Sequence, residues 1–230
     1  MDTKLLKQKI LDLAIHGKLV PQNPNDEPAS KLLEKIREEK QKLIAEKKIK
    51  TDKNDSYIFV GDDNRHYEKF ADGTVKDIED EIPFEVPESW CWCRFGEIMI
   101  NRDSERIPLS VSQRELLEKN YDYYGASGVI DKVDKYLFDK DLLLIGEDGA
   151  NLLTRSTPIA FIASGKYWVN NHAHVLDVCG GLRLHYIALF INANKSGISS
   201  SEVLPSAIVA KSFSSLSFFG SRFPIITLRV

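Results

Sequence analysis

The first fifty residues carry apolar side chains at the spacing of an α-helix. Apolar positions recur every three or four residues in two stretches, one ending at Gly17 and one running from about Ala29 to Lys47. Three prolines between Val20 and Pro28 separate the stretches, because proline lacks the N–H that a helix interior needs. Thr3 is a candidate cap for the first helix. The pattern therefore predicts two helices joined by an extended segment.

Both predicted helices carry a narrow apolar stripe on an otherwise charged surface. Such a stripe is typical of a helix that packs against another helix rather than inside a core. The apolar positions that we expect to contact a partner are Leu6, Ile10, Leu13, Leu32, Leu33, Ile36, Leu43 and Ile44. The segment is either an arm that docks a partner or a second copy of the chain, or a helical hairpin folded on its own domain.

After residue 56 the apolar residues alternate with polar ones, at the period of a β-strand. An Asp-Gly pair at 72–73 predicts a hairpin turn. Predicted strands lie at 57–60, 67–70, 71–75, 90–95, 129–130, 142–145, 159–162, 167–169 and 174–178. Helical patterns return at Ser112–Lys119 and Leu184–Asn192. The predicted fold class is therefore α+β: a helical N-terminal arm followed by a strand-rich domain with a twisted, partly closed antiparallel sheet.

Charge is distributed unevenly along the 230 residues. Residues 1–60 hold 13 Lys and Arg against 10 Asp and Glu, residues 61–100 hold 4 against 11, and the remainder holds 14 against 13. The net charge of −3 excludes a protein that binds nucleic acid through bulk positive charge, but it leaves a local basic surface open. The predicted segments are a helical arm at 1–56, an acidic linker with a hairpin at 57–88, a sheet domain at 89–195 and a serine-rich tail at 196–230.

No feature of the sequence predicts a membrane or secreted protein. No run approaches the roughly 18 apolar residues of a membrane span, and the opening Met-Asp-Thr-Lys is not typical of a signal peptide. Cys91, Cys93 and Cys179 are too few, and odd in number, for a disulfide framework. We expect a cytoplasmic protein without a membrane partner, in which Cys91 and Cys93 are buried structural thiols.

Motifs for catalysis, phosphate binding or a cofactor are missing from the sequence. Gly146–Gly149 follows an apolar run but lacks the Gly-Lys-Ser/Thr of a phosphate loop, and its two carboxylates would repel phosphate. His172 and His174 have the i, i+2 spacing that places two imidazoles on one strand face, where they would bind a metal ion only with a third ligand. We expect no catalytic residue, no metal site and no cofactor.

Several long strings resemble the specificity subunits of type I restriction–modification systems. They are Ile10–Gln22, Asn25–Ser30, His66–Gly73 and Ile82–Trp90 leading into Arg94–Ile98. The stretch from Gly146–Asn151 through Trp168–Leu176 resembles the target recognition domain of the same family. The resemblance covers roughly residues 1–193, and the strings stand in family order.

The resemblance implies a subunit that supplies DNA sequence recognition to a complex and performs no chemistry. Methyltransferase (M) subunits would modify adenine, and a restriction (R) subunit would cut the double-stranded DNA. Family members hold two recognition domains apart by long helices, and each domain contacts one half of a split target. One recognition domain implies a half-size specificity subunit, which as a homodimer would recognise a palindromic split site. The alternative is a non-productive fragment or decoy that acts only through contacts with M subunits.

The C-terminal segment departs from the family pattern. Ten serines occur within residues 196–221, and the long helix expected after the recognition domain does not follow. A truncation, a natural rearrangement and a shifted reading frame after about Asn194 would each account for the departure.

Polar loops of the sheet domain hold residue types that contact DNA. Arg and Lys bind phosphates and guanine, and Asn or Gln pairs with adenine in the major groove. The candidate DNA-binding residues are Arg102, Arg106, Tyr124, Ser127, Asn151, Arg155, Lys166, Asn170, Asn171 and His172. Glu147 and Asp148 either accept from cytosine N4 or order an arginine. For Tyr123 and Tyr124 we expect packing rather than base stacking, because one of two adjacent strand residues faces the core.

Overall fold

The computed structural model describes residues 2–51, 55–148, 151 and 156–193, together with the backbone of 225–228. These residues form two compact units. Unit 1 contains the chain up to Met99, the segment Cys179–Leu182 and the strand at 225–228, and unit 2 contains Ile100–Val178 and the residues from Arg183 onward to 193. The rest of the serine-rich tail lies outside the described residues. The functional segments predicted to end at residues 56, 88 and 195 stay predictions.

The first helix of unit 1, α1, spans Thr3–Ile15 and confirms the helical period of this stretch. Thr3, the predicted cap, is already the first helical residue; the Asp2 carboxylate accepts from the backbone N–H three residues later, at 3.4 Å. Gly17 follows the helix with φ at +68°, and a Cβ atom there would lie 2.6 Å from the Pro87 ring. Both the left-handed backbone and the close approach require glycine at this helix end.

The second helix, α2, spans Ala29–Ala45 and confirms the second predicted helix. Its first two turns bury Ala29, Leu32, Leu33 and Ile36, which lie on one face of the helix. Gly180 approaches this face so closely that a Cβ atom would lie 2.5 Å from the Ile36 side chain. The N-terminal half of α2 is therefore part of the core of unit 1.

The predicted acidic linker contains a small antiparallel sheet. Its strands, in the order in which they pair, are β1 (Ser56–Val60), β2 (His66–Phe70) and β3 (Val75–Asp77). The predicted Asp-Gly turn joins β2 to β3, with Gly73 at φ +87°. Ile58 and Ile78 pack with Trp92, which follows the segment, in a buried cluster, so the predicted linker is folded and shares an apolar core with the next strand.

Strand β4 (Cys91–Arg94) leads into the short helix α3 (Phe95–Ile98) and pairs antiparallel with the strand at Ile225–Leu228, numbered β13. Because side chains alternate along a strand, Cys91 and Cys93 lie on one face of β4 and Trp92 lies on the other. Both faces are covered, since Trp92 is 2% and Cys93 0% exposed. Burial raises the pKa of the Cys91 thiol to about 12, as expected for an unreactive structural thiol.

Unit 2 consists of two four-stranded sheets, so the prediction of one antiparallel sheet was wrong. Its strands are β5 (Met99–Asn101), β6 (Tyr121–Gly125), β7 (Gly128–Val133), β8 (Phe138–Asp139), β9 (Leu142–Gly146), β10 (Ala160–Ala163), β11 (Lys166–Val169) and β12 (Ala173–Val178). The strand orders are β10–β9–β12–β5 and β7–β6–β11–β8. The second sheet is mixed, because β11 pairs parallel with β6 and antiparallel with β8.

The core of unit 2 takes side chains from both sheets. Leu144 and Val175 of the first sheet belong to the same buried cluster as Tyr167 and Val169 of the second. All four are at most 1% exposed. The α+β class is confirmed, and the two sheets of unit 2 pack against each other through this cluster.

Two helices complete unit 2. Helix α4 spans only Val111–Glu115, so it begins one residue before the predicted Ser112–Lys119 region and ends four residues before that region does. A capping box starts it at Ser110, and the Lys119 ammonium donates to the Arg114 carbonyl at 2.9 Å just beyond its end. Helix α5, Leu184–Ala193, confirms the other predicted helix. Within the described ranges, no helix has the length and apolar character needed to cross a membrane.

Candidate nucleic-acid interface

The strand pairing of unit 2 brings three loops to one edge of the sheets. Gly146 at the end of β9 lies opposite Ala173 at the start of β12, and Val169 at the end of β11 lies opposite Tyr124 near the end of β6. The residues that follow β6, β9 and β11 therefore meet. We call residues 124–127, 146–148 and 170–172 the loop edge.

Backbone contacts hold the loop edge together. The N–H of Asn170 donates to the Tyr124 carbonyl at 3.0 Å, and the N–H of Glu147 donates to the His172 carbonyl at 2.9 Å. A Cβ atom on Gly146 would lie 2.5 Å from the Ala126 carbonyl oxygen, so only glycine fits there. The three loops are thus one connected surface.

The predicted residues Tyr124 and Ser127 occupy the first of these loops. Tyr124 is half-buried, with its ring centroid 6.0 Å from that of Phe161 and 5.4 Å from that of Tyr167. Burial raises the pKa of Tyr124. Tyr123 is fully buried in the core. Ser127, in the turn between β6 and β7, is exposed.

Asn170, Asn171 and His172 are neighbours in sequence but differ in exposure. Asn170 is 4% exposed, and its Oδ1 accepts from the N–H of His172 at 2.8 Å. Asn171 and His172 are exposed, and His172 Nδ1 contacts Asp148 Oδ2 at 2.5 Å. Asn170 therefore shapes the loop, whereas the next two side chains are accessible to a ligand.

Arg106 lies in a buried network below the loop edge. Its Nη1 donates to Glu147 Oε2 at 2.8 Å and to the Ala173 carbonyl at 2.7 Å, and its side chain is 13% exposed. The interpretation that Glu147 orders an arginine is right for this pair. The guanidinium is engaged inside unit 2, and this arrangement is typical of a scaffold residue.

Asp103 and His174 belong to the same network. His174 Nδ1 contacts Asp103 Oδ2 at 2.6 Å, and the N–H of Val175 donates to Asp103 Oδ1 at 2.8 Å. Burial alone would raise the pKa of Asp103, but these hydrogen bonds and the nearby Arg106 hold it below its usual range. Asp103 is therefore a charged anchor of the network.

The side chains of Arg102 and Lys166 lie away from the loop edge. Lys166 begins β11, about 13 Å of strand before Asn170, and its ammonium sits 4.9 Å from the Tyr136 ring centroid. Arg102 Nε donates to Asp177 Oδ2 at 2.7 Å, and Lys140 donates to the same oxygen at 2.7 Å. The structure therefore does not place these two predicted residues with the loop edge.

The remaining predicted DNA-binding residues are Asn151 and Arg155. Asn151 holds its own loop, since its Oδ1 accepts from the N–H of Thr157 at 3.0 Å and its Nδ2 donates to the Thr157 carbonyl at 3.1 Å. Arg155 lies outside the described residues.

The predicted docking residues of unit 1 fall into three groups. Leu32, Leu33 and Ile36 are at most 7% exposed and belong to the core. Leu6 and Ile10 on α1 are 44% and 43% exposed. The half-buried members are Leu13, Leu43 and Ile44. A partner would reach α1 directly, and it would not reach the buried face of α2.

Metal binding by the two histidines of the 172–174 stretch has no support in the described part of the chain. His172 precedes β12 and pairs with Asp148, whereas His174 pairs with Asp103. Among the described residues, no three His, Cys, Asp or Glu side chains are grouped so that they could hold a metal ion.

Sequence reasoning missed two residues. Asn192 holds α5 and β10 together, and Asp177 compensates the charge of Arg102. The Asn192 side chain accepts from the N–H of Ile159 at 3.0 Å and donates to the Ala160 carbonyl at 2.7 Å. Asp177, 4% exposed, compensates both Arg102 and Lys140. The signal in the sequence for either position is only that a polar residue occurs within an otherwise apolar segment.

Curated relatives identify the class of protein that this chain resembles: specificity subunits of type I restriction enzymes. The resemblance predicted from the motifs is thereby confirmed. The specificity subunit of EcoEI from Escherichia coli is 44% identical over 103 residues, which make up 45% of this chain and 14% of that protein. The EcoAI specificity subunit from Escherichia coli is 47% identical over 93 residues, 40% of this chain and 13% of the relative.

The matched regions thus span only about a seventh of these curated relatives. Among solved structures, the S subunit of a type I restriction–modification system from M. genitalium is 14% identical, with a TM-score of 0.45. That comparison covers 99% of this chain and 46% of the other. No family model matches the sequence.

Proposed function

We propose that this chain is a DNA sequence-recognition subunit of a type I restriction–modification complex. Unit 2 contacts one half of a split target in double-stranded DNA through its loop edge. Helix α1 docks M subunits, which supply the adenine methyltransferase, and the R subunit joins the assembled complex. The chain itself carries out no catalysis, requires no cofactor and works in the cytoplasm, where such a complex meets DNA.

One observation carries the proposal: relatives 44% and 47% identical over 103 and 93 residues are type I specificity subunits. Identity at this level over that length reflects common descent rather than composition.

The geometry of unit 2 supports DNA contact through the loop edge. Ser127, Asn171 and His172 are exposed on loops that the backbone contacts join into one surface. These are hydrogen-bonding side chains of the kind that contact base edges and phosphates. Because Arg106, the arginine beside the loop edge, is paired with Glu147, we expect hydrogen bonding, rather than net positive charge, to provide much of the selectivity.

The exposed apolar residues of α1 support docking of a protein partner. Leu5, Leu6 and Ile10 are 68%, 44% and 43% exposed within about two turns of helix. Apolar side chains exposed together on one short helix are typical of an interaction surface. The Ile10→Glu variant should lose M-subunit binding, whereas the exposed Leu189→Glu variant in unit 2 is the matched control.

Reconstitution of the full chain with M subunits tests the proposal. A gel shift on random-sequence duplex, with and without this chain, followed by sequencing of the bound DNA, should yield one motif only when the chain is present. Binding without a motif would support the decoy instead. A mapped methylation site that is split but not palindromic, with this chain as the sole specificity component, would exclude the homodimer.

A further inference from the structure

The Asp148–His172 pair is the most tightly positioned exposed group on the loop edge. The His172 backbone is fixed twice, by Asn170 Oδ1 at its N–H and by the Glu147 N–H at its carbonyl. The imidazole is then fixed by Asp148 through Nδ1. Yet the two side chains remain 51% and 55% exposed. The loop thus presents an ordered imidazole to its surroundings.

Stability does not account for this order. An exposed ion pair or hydrogen bond contributes little to folding, because water competes for both partners. The His174–Asp103 pair provides the contrast within the same unit, since its side chains are only 13% and 18% exposed and it also holds the Val175 N–H. That pair supports the fold, whereas Asp148 and His172 are placed where a ligand can reach them.

The carboxylate determines which ring nitrogen carries the proton. An ionised Asp148 only accepts hydrogen bonds, so the nitrogen facing it, Nδ1, must carry a hydrogen. In the neutral imidazole, Nε2 is then an acceptor. In this neutral form, Asp148 makes the outward-facing Nε2 a defined acceptor.

We infer that Asp148 and His172 form a specificity-determining pair, in which His172 Nε2 accepts a hydrogen bond from the exocyclic amino group of adenine or cytosine in the major groove. This inference rests on the proposed function. Adenine N6 and cytosine N4 are the hydrogen-bond donors of the major groove, whereas guanine and thymine present acceptors at the corresponding positions. An acceptor held rigidly at the loop edge distinguishes these two classes of base.

Sequence selection by the reconstituted complex tests the inference. The wild-type chain and the variants His172→Ala, Asp148→Asn and His185→Ala are each combined with M subunits and a random duplex library. His185 is an exposed histidine on α5 and serves as the matched control. For His172→Ala we expect the preference at one position to fall about ten-fold, from the loss of one base contact. The other positions and the His185→Ala motif should remain as in the wild type.

Asp148→Asn gives the sharper result. The asparagine side chain both accepts and donates, so it no longer holds the ring proton on Nδ1 and leaves Nε2 free to act as a donor. We therefore expect the preference for adenine or cytosine at that position to weaken. This nearly isosteric variant also decides the question if His172→Ala does not fold.

The outcomes separate the inference from the proposed function. If the wild-type motif is unchanged in both Asp148→Asn and His172→Ala, the pair does not determine specificity, and the proposed recognition function is not affected. A wild-type complex that selects no motif would overturn the recognition function, and the inference with it. A changed preference at one position supports both.

Discussion

Arg106→Ala should destabilise unit 2 by about 3–5 kcal/mol, the usual cost of removing one partner of a buried ion pair. The arginine contacts Glu147 Oε2 at 2.8 Å and the Ala173 carbonyl at 2.7 Å, with side chains of the ion pair only 13% and 11% exposed. Its loss leaves a buried carboxylate and a carbonyl without their donor. The free energy of unfolding is measured by urea denaturation followed by circular dichroism, and hydrogen exchange of peptides from 100–178 locates the loss in unit 2.

Two further variants make the Arg106 result interpretable. Arg183→Ala removes an exposed arginine of the same unit and should change stability by less than about 0.5 kcal/mol. Arg106→Leu combined with Glu147→Leu should recover part of the loss, because it leaves no unpaired buried charge. If Arg106→Ala unfolds like the wild type and only DNA affinity falls, the scaffold role is wrong and Arg106 is a contact residue.

Three other variants or treatments test separate features. Burial raises the pKa of Glu97 despite its hydrogen bond to Arg37, so the stability that this carboxyl contributes is present at acidic pH and is lost as pH rises through the raised pKa. The Glu97→Gln variant does not titrate and should therefore gain stability relative to the wild type between pH 4 and pH 8 in urea melts. A difference in stability that stays constant with pH would refute this. Gly146→Ala should cost about 1–3 kcal/mol in the same assay, because its Cβ would meet the Ala126 carbonyl oxygen at 2.5 Å; an unchanged midpoint would show that the loop can move. Iodoacetamide at pH 8 should label Cys91 much more slowly in the folded chain than in urea, because its thiol pKa is raised to about 12; equal rates by mass spectrometry would contradict this.

Elements with a strong local period could be predicted from the sequence. Helices α1 and α2 follow from apolar steps of three and four, and β9 follows from the apolar run at 142–145. Strand β6 was recognised only at Tyr123 and Tyr124, because Tyr121–Gly125 has too few alternating positions to define a strand. Its pairing with β11 joins residues more than forty positions apart, and local patterns contain no information about that partner.

The candidate interface was predictable as a set of loops but not as a geometry. Asn171 and His172 were identified by residue type, and the strand register places them on one edge with Ser127. Arg106 was indistinguishable from a contact residue in the sequence, because the glutamate that engages it lies 41 residues away. Whether an arginine is free or engaged depends on tertiary pairing, which single-sequence reasoning does not reach.

The chain first enters unit 2 through β5 and leaves it after β12 before returning at Arg183 for α5, and β5 and β12 are neighbours in one sheet. The incoming and outgoing segments therefore lie side by side, as in a domain inserted into a host fold. The loop edge lies at the start of β12, at the other end of that strand from the junction. Under the proposed function, substitutions at the loop edge should therefore change DNA specificity without altering the two strands through which the chain first enters and leaves unit 2.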